Sequence, residues 1–248
     1  MSSATTHRLL PVIKKTTEGV YTLTHEAISR EVIADTYLSG TGIEIGALTS
    51  PLLVPKGASV QYVDRFSVEG LRKQYPELKD WNLVNVDIIE DGERLASIGD
   101  ATQNFVIANH FIEHCANPIL AISNMLRVLK KNGILFVALP DKRQCFDVDR
   151  PETTFEHLLK DYEEGPAWSR KSHFEEWSRL VNKVKDDCDV EKQVIRLMEI
   201  DYSIHYHVFT PDTMFEIFSK IKKVLHYPFE LEIFLKNAAE VIIILRRI

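Results

Sequence analysis

The sequence predicts an α/β fold: a mostly parallel, seven-stranded sheet with a C-terminal antiparallel hairpin and a helical insertion after the fifth strand. Three observations predict it. From Thr41 to Pro140 short apolar runs alternate with helical patterns, as parallel strands joined by crossover helices require. After Asp141 this alternation stops for about 65 residues, a stretch too long for a bare loop and helical, charged and aromatic in character. Finally, apolar runs at about Phe229 to Leu235 and Val241 to Leu245 are joined by a turn around Asn237 to Ala239 so short that they must pair antiparallel.

Each element has its own signal. Glu26 to Leu38 reads as a helix, so residues 1–40 are expected to form a helical extension. Gly42-Ile-Glu-Ile-Gly46 reads as the first strand of the sheet and its turn, and Val60-Gln-Tyr-Val-Asp64 as the second. Ser67 is an N-cap for a helix through about Tyr75. Leu83 to Ile88, Asn104 to Ala108 and Ile134 to Leu139 supply the third, fourth and fifth strands. Before the fifth, Asn117 caps a helix with Pro118 in its first turn and Ile122, Met125, Leu126 and Leu129 at core spacing. Lys130 and Lys131 complement its carbonyl end, and Gly133 is expected to supply a left-handed cap. Residues 145–209 are expected to fold as a helical cap over a substrate. Thr210-Pro211 opens a further helix whose Met214, Ile217, Phe218, Ile221 and Leu225 share one face.

Composition bounds the rest. At 248 residues, 45% hydrophobic and 27% charged, the chain suits one α/β domain with a sizeable core. A net charge of −6, with no run of Lys or Arg longer than two, gives no attraction for a phosphate backbone, so no nucleic-acid partner is expected. Met1 to Lys15 has no apolar stretch of signal-peptide length, and Val241 to Leu245 is a strand, not a membrane span; a cytoplasmic location is expected. Cys115, Cys145 and Cys188 match neither a disulfide framework nor a zinc ribbon and read as reduced thiols. Oligomeric state stays open.

In an open parallel sheet the ligand crevice lies beyond the carboxyl ends of the strands, where strand order reverses. Glu44 and Gly46 close the first strand, Asp64 the second, Asp87 the third, and Asn109 with His110 follows the fourth. An acid ending the second strand can accept hydrogen bonds from both ribose hydroxyls of an adenosine cofactor, which leaves S-adenosylmethionine (SAM) and NAD both open.

Over Thr41 to Pro140, and again in the terminal hairpin, these residues resemble class I SAM-dependent methyltransferases, whose sheet is Rossmann-like. The resemblance rests on Gly42-Ile-Glu-Ile-Gly46, Val63-Asp64, Val86-Asp87-Ile88, and Ala108-Asn-His-Phe-Ile-Glu-His114 followed by Asn117-Pro118 and the helix to Gly133. It implies a SAM site that draws on Glu44, Gly46, Ala47, Asp64, Arg65, Asp87, Ile88, Asn109 and His110. Gly46 and Ala47 would approach the methionine part, Asp64 the ribose, Asp87 and Ile88 the adenine, and Asn109 and His110 the sulfonium side. Leu48 and Ser50 stand where the family loop usually has glycines, a departure that weakens NAD more than SAM, because pyrophosphate needs close backbone approach. Asn109-His-Phe-Ile-Glu-His114, Pro140-Asp-Lys-Arg143 and Ser203-Ile-His-Tyr-His207 resemble bacterial methyltransferases tied to surface-polysaccharide synthesis, which implies O-methylation of a saccharide or similar small hydroxylated acceptor.

Other constellations compete. His110-Phe-Ile-Glu-His114 is also a literal H-x-x-E-H, a zinc pattern if both histidines share a helix face. The expectation is no metal, since the motif starts at a strand mouth without a third ligand. Tyr202 to Phe209, if extended, sends Ser203, His205 and His207 to one face, and either histidine is a candidate base for a hydroxyl acceptor, with His173 in reserve. Asp141 follows the fifth strand, where an acid faces substrate or joins the two histidines around a divalent ion. Asp147, Asp149 and Arg150 continue a polar run that reads equally as a solvated loop, and Trp168, His173, Phe174 and Trp177 give the insertion an aromatic face. A catalytically inert scaffold of this fold, binding a partner protein, is the alternative from a different class.

Overall fold

The computed structural model describes residues 9–15, 21–27 and 29–248. In chain order the strands are β1 (Leu9–Lys15), β2 (Tyr21–Ala27), β3 (Thr41–Ile45), β4 (Ser59–Asp64), β5 (Ile88–Ile89), β6 (Gln103–Asn109), β7 (Leu129–Pro140), β8 (Phe229–Asn237) and β9 (Glu240–Arg247). The helices are α1 (Arg30–Tyr37), α2 (Val68–Gln74), α3 (Pro118–Val128), α4 (Phe155–Glu164), α5 (Ala167–Leu180), α6 (Asp187–Glu199) and α7 (Pro211–Val224).

Phe105 to Ala108 in β6 is a run of four fully buried residues, with Phe105 and Ile107 in one core cluster and Val106 and Ala108 in another. A strand apolar on both faces belongs in the middle of a sheet covered on both sides. β6 accordingly lies at the centre of the order β5-β4-β3-β6-β7-β9-β8. β3 to β7 run parallel, and β9 pairs antiparallel with both β7 and β8, so the expected fold class stands. On one face α3 contributes Ile119, Ile122 and Met125, and α7 contributes Met214, Ile217 and Phe218. On the other face α1 supplies Ile33 and Ala34. Order reverses between β3 and β6, where the chain leaves the sheet in opposite directions and opens a crevice at the strand ends.

The expected caps hold their helices. Asn117 accepts from Leu120 N at 3.0 Å, Ser67 from Gly70 N at 3.3 Å, and Thr210 forms a reciprocal capping box with Thr213. Three expectations are corrected. The helical extension over 1–40 is helical only from Arg30, behind the Ser29 N-cap, while β1 and β2 pair antiparallel; residues 1–8, 16–20 and 28 lie outside the described residues. Leu9–Lys15 and Tyr21–Ala27 are rich in β-branched and aromatic residues, which favours that pairing. The third strand of the main sheet shrinks to Ile88–Ile89 at the sheet edge, although Asp87 N still reaches Tyr62 O at 2.9 Å. Asn132, at φ 65°, takes the left-handed turn expected of Gly133. Gly133 is needed for space instead, since a Cβ there would lie 2.8 Å from Lys130 O and 3.1 Å from Asn104 O.

The insertion folds as α4 to α6: α5, α6 and the return segment enclose a small core of Phe174, Val190, Val194, Ile204 and Tyr206, while α4 packs Phe155 and Leu158 into the main core. Arg150 is wholly buried beneath it, bonded to Asp147 at 2.9 Å, Glu176 at 2.6 Å and the His205 carbonyl at 2.7 Å. Asp147 and Arg150 are therefore buried supports of the cap, while Val148 and Asp149 between them are exposed, as a solvated loop would be. No helix among the described residues is long and apolar enough to cross a membrane. Cys115, Cys145 and Cys188 are unpaired.

Candidate active site

A cavity of about 560 Å³ opens at the carboxyl ends of β3, β4 and β6. That volume lies within the usual range for small-molecule sites. The sheet side of its wall is Ile45, Gly46, Leu48, Asp64, Arg65, His110, Phe111 and His114, and the cap closes it with Arg170, Asp201, Tyr202, Ser203 and Tyr206. The insertion therefore covers the crevice.

Gly46 has φ 66° and Leu48 φ 47°, so the loop after β3 keeps a left-handed backbone where a side chain replaces the usual glycine. The loop is pinned from below. Glu44, fully buried, accepts Leu52 N on both carboxylate oxygens at 3.0 and 3.1 Å, and burial lifts its carboxyl to about 7. At the end of β4, burial raises the Asp64 carboxyl to about 6, against the backbone N–H and guanidinium of Arg65. One of its oxygens accepts Arg65 N at 2.7 Å. Arg65 itself reaches across the cavity mouth to Asp201 at 2.9 Å and to the Tyr75 hydroxyl at 2.8 Å. Arg170 binds the other oxygen of Asp201 at 2.9 Å, so one exposed acid ties sheet and cap together.

After β6 the backbone turns left-handed at His110 (φ 49°) and passes through a single 3-10 turn, Ile112–His114. The two histidines of the H-x-x-E-H pattern therefore never share an α-helical face. His110 Nε2 meets Glu240 at 2.9 Å and Nδ1 lies 3.4 Å from Glu113. Burial opposes its charge, but these two carboxylates prevail and lift it to about 9. His114 Nδ1 lies 3.0 Å from the Ile204 carbonyl and 3.0 Å from Ser203 Oγ. Burial pushes this imidazole down to about 4.

Of the residues expected at the cofactor, Gly46, Asp64, Arg65 and His110 line the cavity, whereas Glu44, Ala47, Asp87, Ile88 and Asn109 stand behind or beside it. Asp87 is held by Tyr62 N at 2.8 Å, and the loop after β5 presents Asp91, Gly92 and Glu93 instead. Asn109 is half-buried, and both of its side-chain amide atoms are buried and unpartnered.

The residues expected to act on the acceptor are not brought together. Asp141 is fully buried and held by Arg143 at 2.7 Å and Lys236 at 3.5 Å. His205 turns to Asp147 at 2.6 Å, and His207 lies 3.7 Å from Asp161. The return segment does border the cavity, but through Tyr202, Ser203 and Tyr206. Nor do Asp141 and the two histidines form one metal site, since His205 groups with Glu113 and His114, and His207 with His157, Asp161 and His173. The reserve base, His173, packs in that last cluster, away from the cavity wall. His114 belongs both to the zinc pattern and to the motif after the fourth strand that carries the family resemblance, but no role of its own was expected for it; its place directly after that strand's loop was the available signal.

Residues 40–137 match the model of a family described as Methyltransferase domain. No curated protein matches the chain. Among solved structures the chain is similar to a putative Zn-dependent alcohol dehydrogenase from Rhodobacter sphaeroides, with TM-score 0.50 and 16% identity over 88% of each chain. It is also similar to a SAM-dependent methyltransferase from Methanosarcina mazei (TM-score 0.45, 16% identity, 86% of this chain and 95% of that one). A third is a SAM-dependent methyltransferase from Thermotoga maritima described as a possible histamine N-methyltransferase (TM-score 0.43, 14% identity, 85% and 84%). At these identities the structures speak for fold alone. The matched segment spans β3 to β7 nearly to its end and hence the strand ends that build the cavity. The fold is the Rossmann-like fold of class I SAM-dependent methyltransferases. Residues 40–137 are similar to a methyltransferase domain, and the cofactor that this similarity supports is SAM.

The residues present fit that cofactor. Asp64 offers a desolvated carboxylate to a ribose diol, which can donate two hydrogen bonds to it. Gly46 leaves open space, because a Cβ there would meet only Phe111, at 3.6 Å. Ile45, Leu48 and Phe111 supply apolar surface for a base.

Proposed function

We propose that this protein transfers the methyl group of SAM to a hydroxyl of a saccharide or similar small hydroxylated acceptor held between the strand ends and the cap. The observation that carries the reading is His114. A carbonyl oxygen only accepts, so the bond to Ile204 fixes the His114 proton on Nδ1 and leaves Nε2 as the free lone pair. With its pKa near 4, the ring is neutral at physiological pH and able to accept a proton on the cavity wall. His110, raised to about 9, is a cation there with no lone pair to offer, and its two ring nitrogens face Glu240 and Glu113. SAM, when bound, supplies an electrophilic methyl group, and the protein's part is alignment, exclusion of water and removal of the hydroxyl proton.

The cap supports a polyol acceptor. Tyr202 and Tyr206 offer aromatic faces, and Ser203, Arg170 and Asp201 offer donors and acceptors beside them.

The test is transfer of a labelled methyl group from SAM to a panel of mono- and oligosaccharides, matched against amine and thiol acceptors. Transfer to a sugar hydroxyl is expected, with His114→Ala lowering kcat by about 10²–10⁴-fold at nearly constant SAM affinity. Transfer confined to amines or thiols, or full kcat in His114→Ala, would overturn the reading.

A further inference from the structure

A separate cluster of titratable side chains lies within the cap, outside the cavity wall. His157 and Asp161 stand four residues apart on α4, hence on one face; His173 comes from α5, and His207 from the segment that returns to the sheet. One nitrogen or oxygen of each lies within 4.8 Å of those of the other three. His157 Nε2 is 3.1 Å from His173 Nε2 and 3.2 Å from Asp161 Oδ2, and His207 Nε2 is 3.7 Å from the same oxygen.

These groups are poorly satisfied as they stand. The side chains of Asp161 and His207 are 0% exposed, and Asp161 Oδ2 and His207 Nε2, which face each other, have no hydrogen-bond partner. Buried polar atoms almost always have partners, and a carboxylate oxygen facing three imidazoles without one marks a missing ligand. Four donors each about 2.1 Å from one tetrahedral ion lie roughly 3.4 Å from one another, close to the 3.1, 3.2 and 3.7 Å of the three pairs given above. The surroundings are those of a ligand set held in place. Ser169 Oγ donates to Asp161 Oδ1 at 2.8 Å, Trp168 packs against His157, and Phe209 stacks on His207.

We propose that His157, Asp161, His173 and His207 bind one zinc-type divalent ion in a closed, four-ligand structural site that staples α4, α5 and the return segment of the cap. Three imidazoles and a carboxylate suit zinc, and a full ligand set leaves no open position for chemistry. The site fixes the lid from which Tyr202, Ser203 and Tyr206 face the cavity. It stands whether or not the acceptor assignment does.

The full-length protein, freed of metal with a chelator, is titrated with Zn²⁺ alone and then Co²⁺ alone, read by metal content after dialysis, by Tm and by the visible spectrum of Co²⁺. About one zinc per chain, a rise in Tm on zinc addition and the absorption of tetrahedral Co²⁺ are expected. His207→Ala and Asp161→Asn should each weaken zinc binding at least 100-fold and abolish the rise in Tm, while His226→Ala, on an exposed residue outside the cluster, should change neither. Should His207→Ala fail to fold, His157→Ala, at the partly exposed edge of the cluster, gives the same reading. No retained zinc in the wild type, octahedral Co²⁺, or zinc binding undiminished in His157→Ala would overturn the proposal.

Discussion

His110 Nε2 lies 2.9 Å from Glu240 Oε2, joining the turn after β6 to the first residue of β9, and Arg30 at the start of α1 binds the same carboxylate. Burial works against both charges, yet the two cations hold Glu240 at about 2 and the carboxylates lift His110 to about 9. A depressed acid stabilises the fold above its unfolded value of 4.5 and loses that contribution as pH falls through about 2. A raised histidine stabilises below 6.5 and loses its contribution as pH rises through about 9. Glu240→Gln should therefore cost roughly 1.5–3 kcal/mol, the range for hydrogen bonds to charged groups. Thermal unfolding of wild type and variant should differ most between pH 4.5 and 6.5, and the gap should narrow but not close as pH rises through about 9, because Arg30 still binds Glu240.

Asp201 spans Arg65 and Arg170 at the cavity mouth, but its side chain is 65% exposed. An exposed pair of this kind contributes only about 0–1 kcal/mol. Asp201→Ala should thus leave Tm almost unchanged while speeding cofactor release, and added salt should speed release in the wild type but much less in the variant. Stopped-flow release rates check this; identical rates at every ionic strength would remove the latch.

Arg150 is different, because its guanidinium is wholly buried among Asp147, Glu176 and two carbonyls. Arg150→Ala leaves the Asp147 carboxylate facing only His205 and should cost about 3–5 kcal/mol. The loss should be local. Amide exchange should accelerate across residues 155–209 while β6 and β7 stay protected, and uniform acceleration would show that cap and sheet unfold together.

Much of this was legible in the sequence, and the failures have physical causes. The alternation of apolar runs gave the parallel strands, and Ser67, Asn117 and Thr210 marked their helices because capping is a local hydrogen bond between neighbours. Asp64 and Gly46 followed from the rule for strand ends. The faces of His205 and His207 did not, because residues 202–209 pair with no strand and no pleat holds their alternation. Asp147 and the helices α4 and α5, distant in sequence, decide where those rings point. The spacing of His157 and Asp161 on one helix face was a readable signal, but its partners lie one helix and one segment away.

The crevice at the ends of β3, β4 and β6 is proposed to bind SAM through Asp64. Its carboxyl is raised from 3.8 to about 6 by burial, so the empty site loses stability as pH rises through that window and recovers when a diol donates to the carboxylate. Calorimetric titration of wild type and Asp64→Ala with SAM at pH 7.5 tests it most directly. Binding by the wild type is expected, weakened roughly 10- to 150-fold in a variant that is folded and at least as thermally stable without ligand. Equal SAM affinity in the folded variant, or no binding by the wild type, would contradict it.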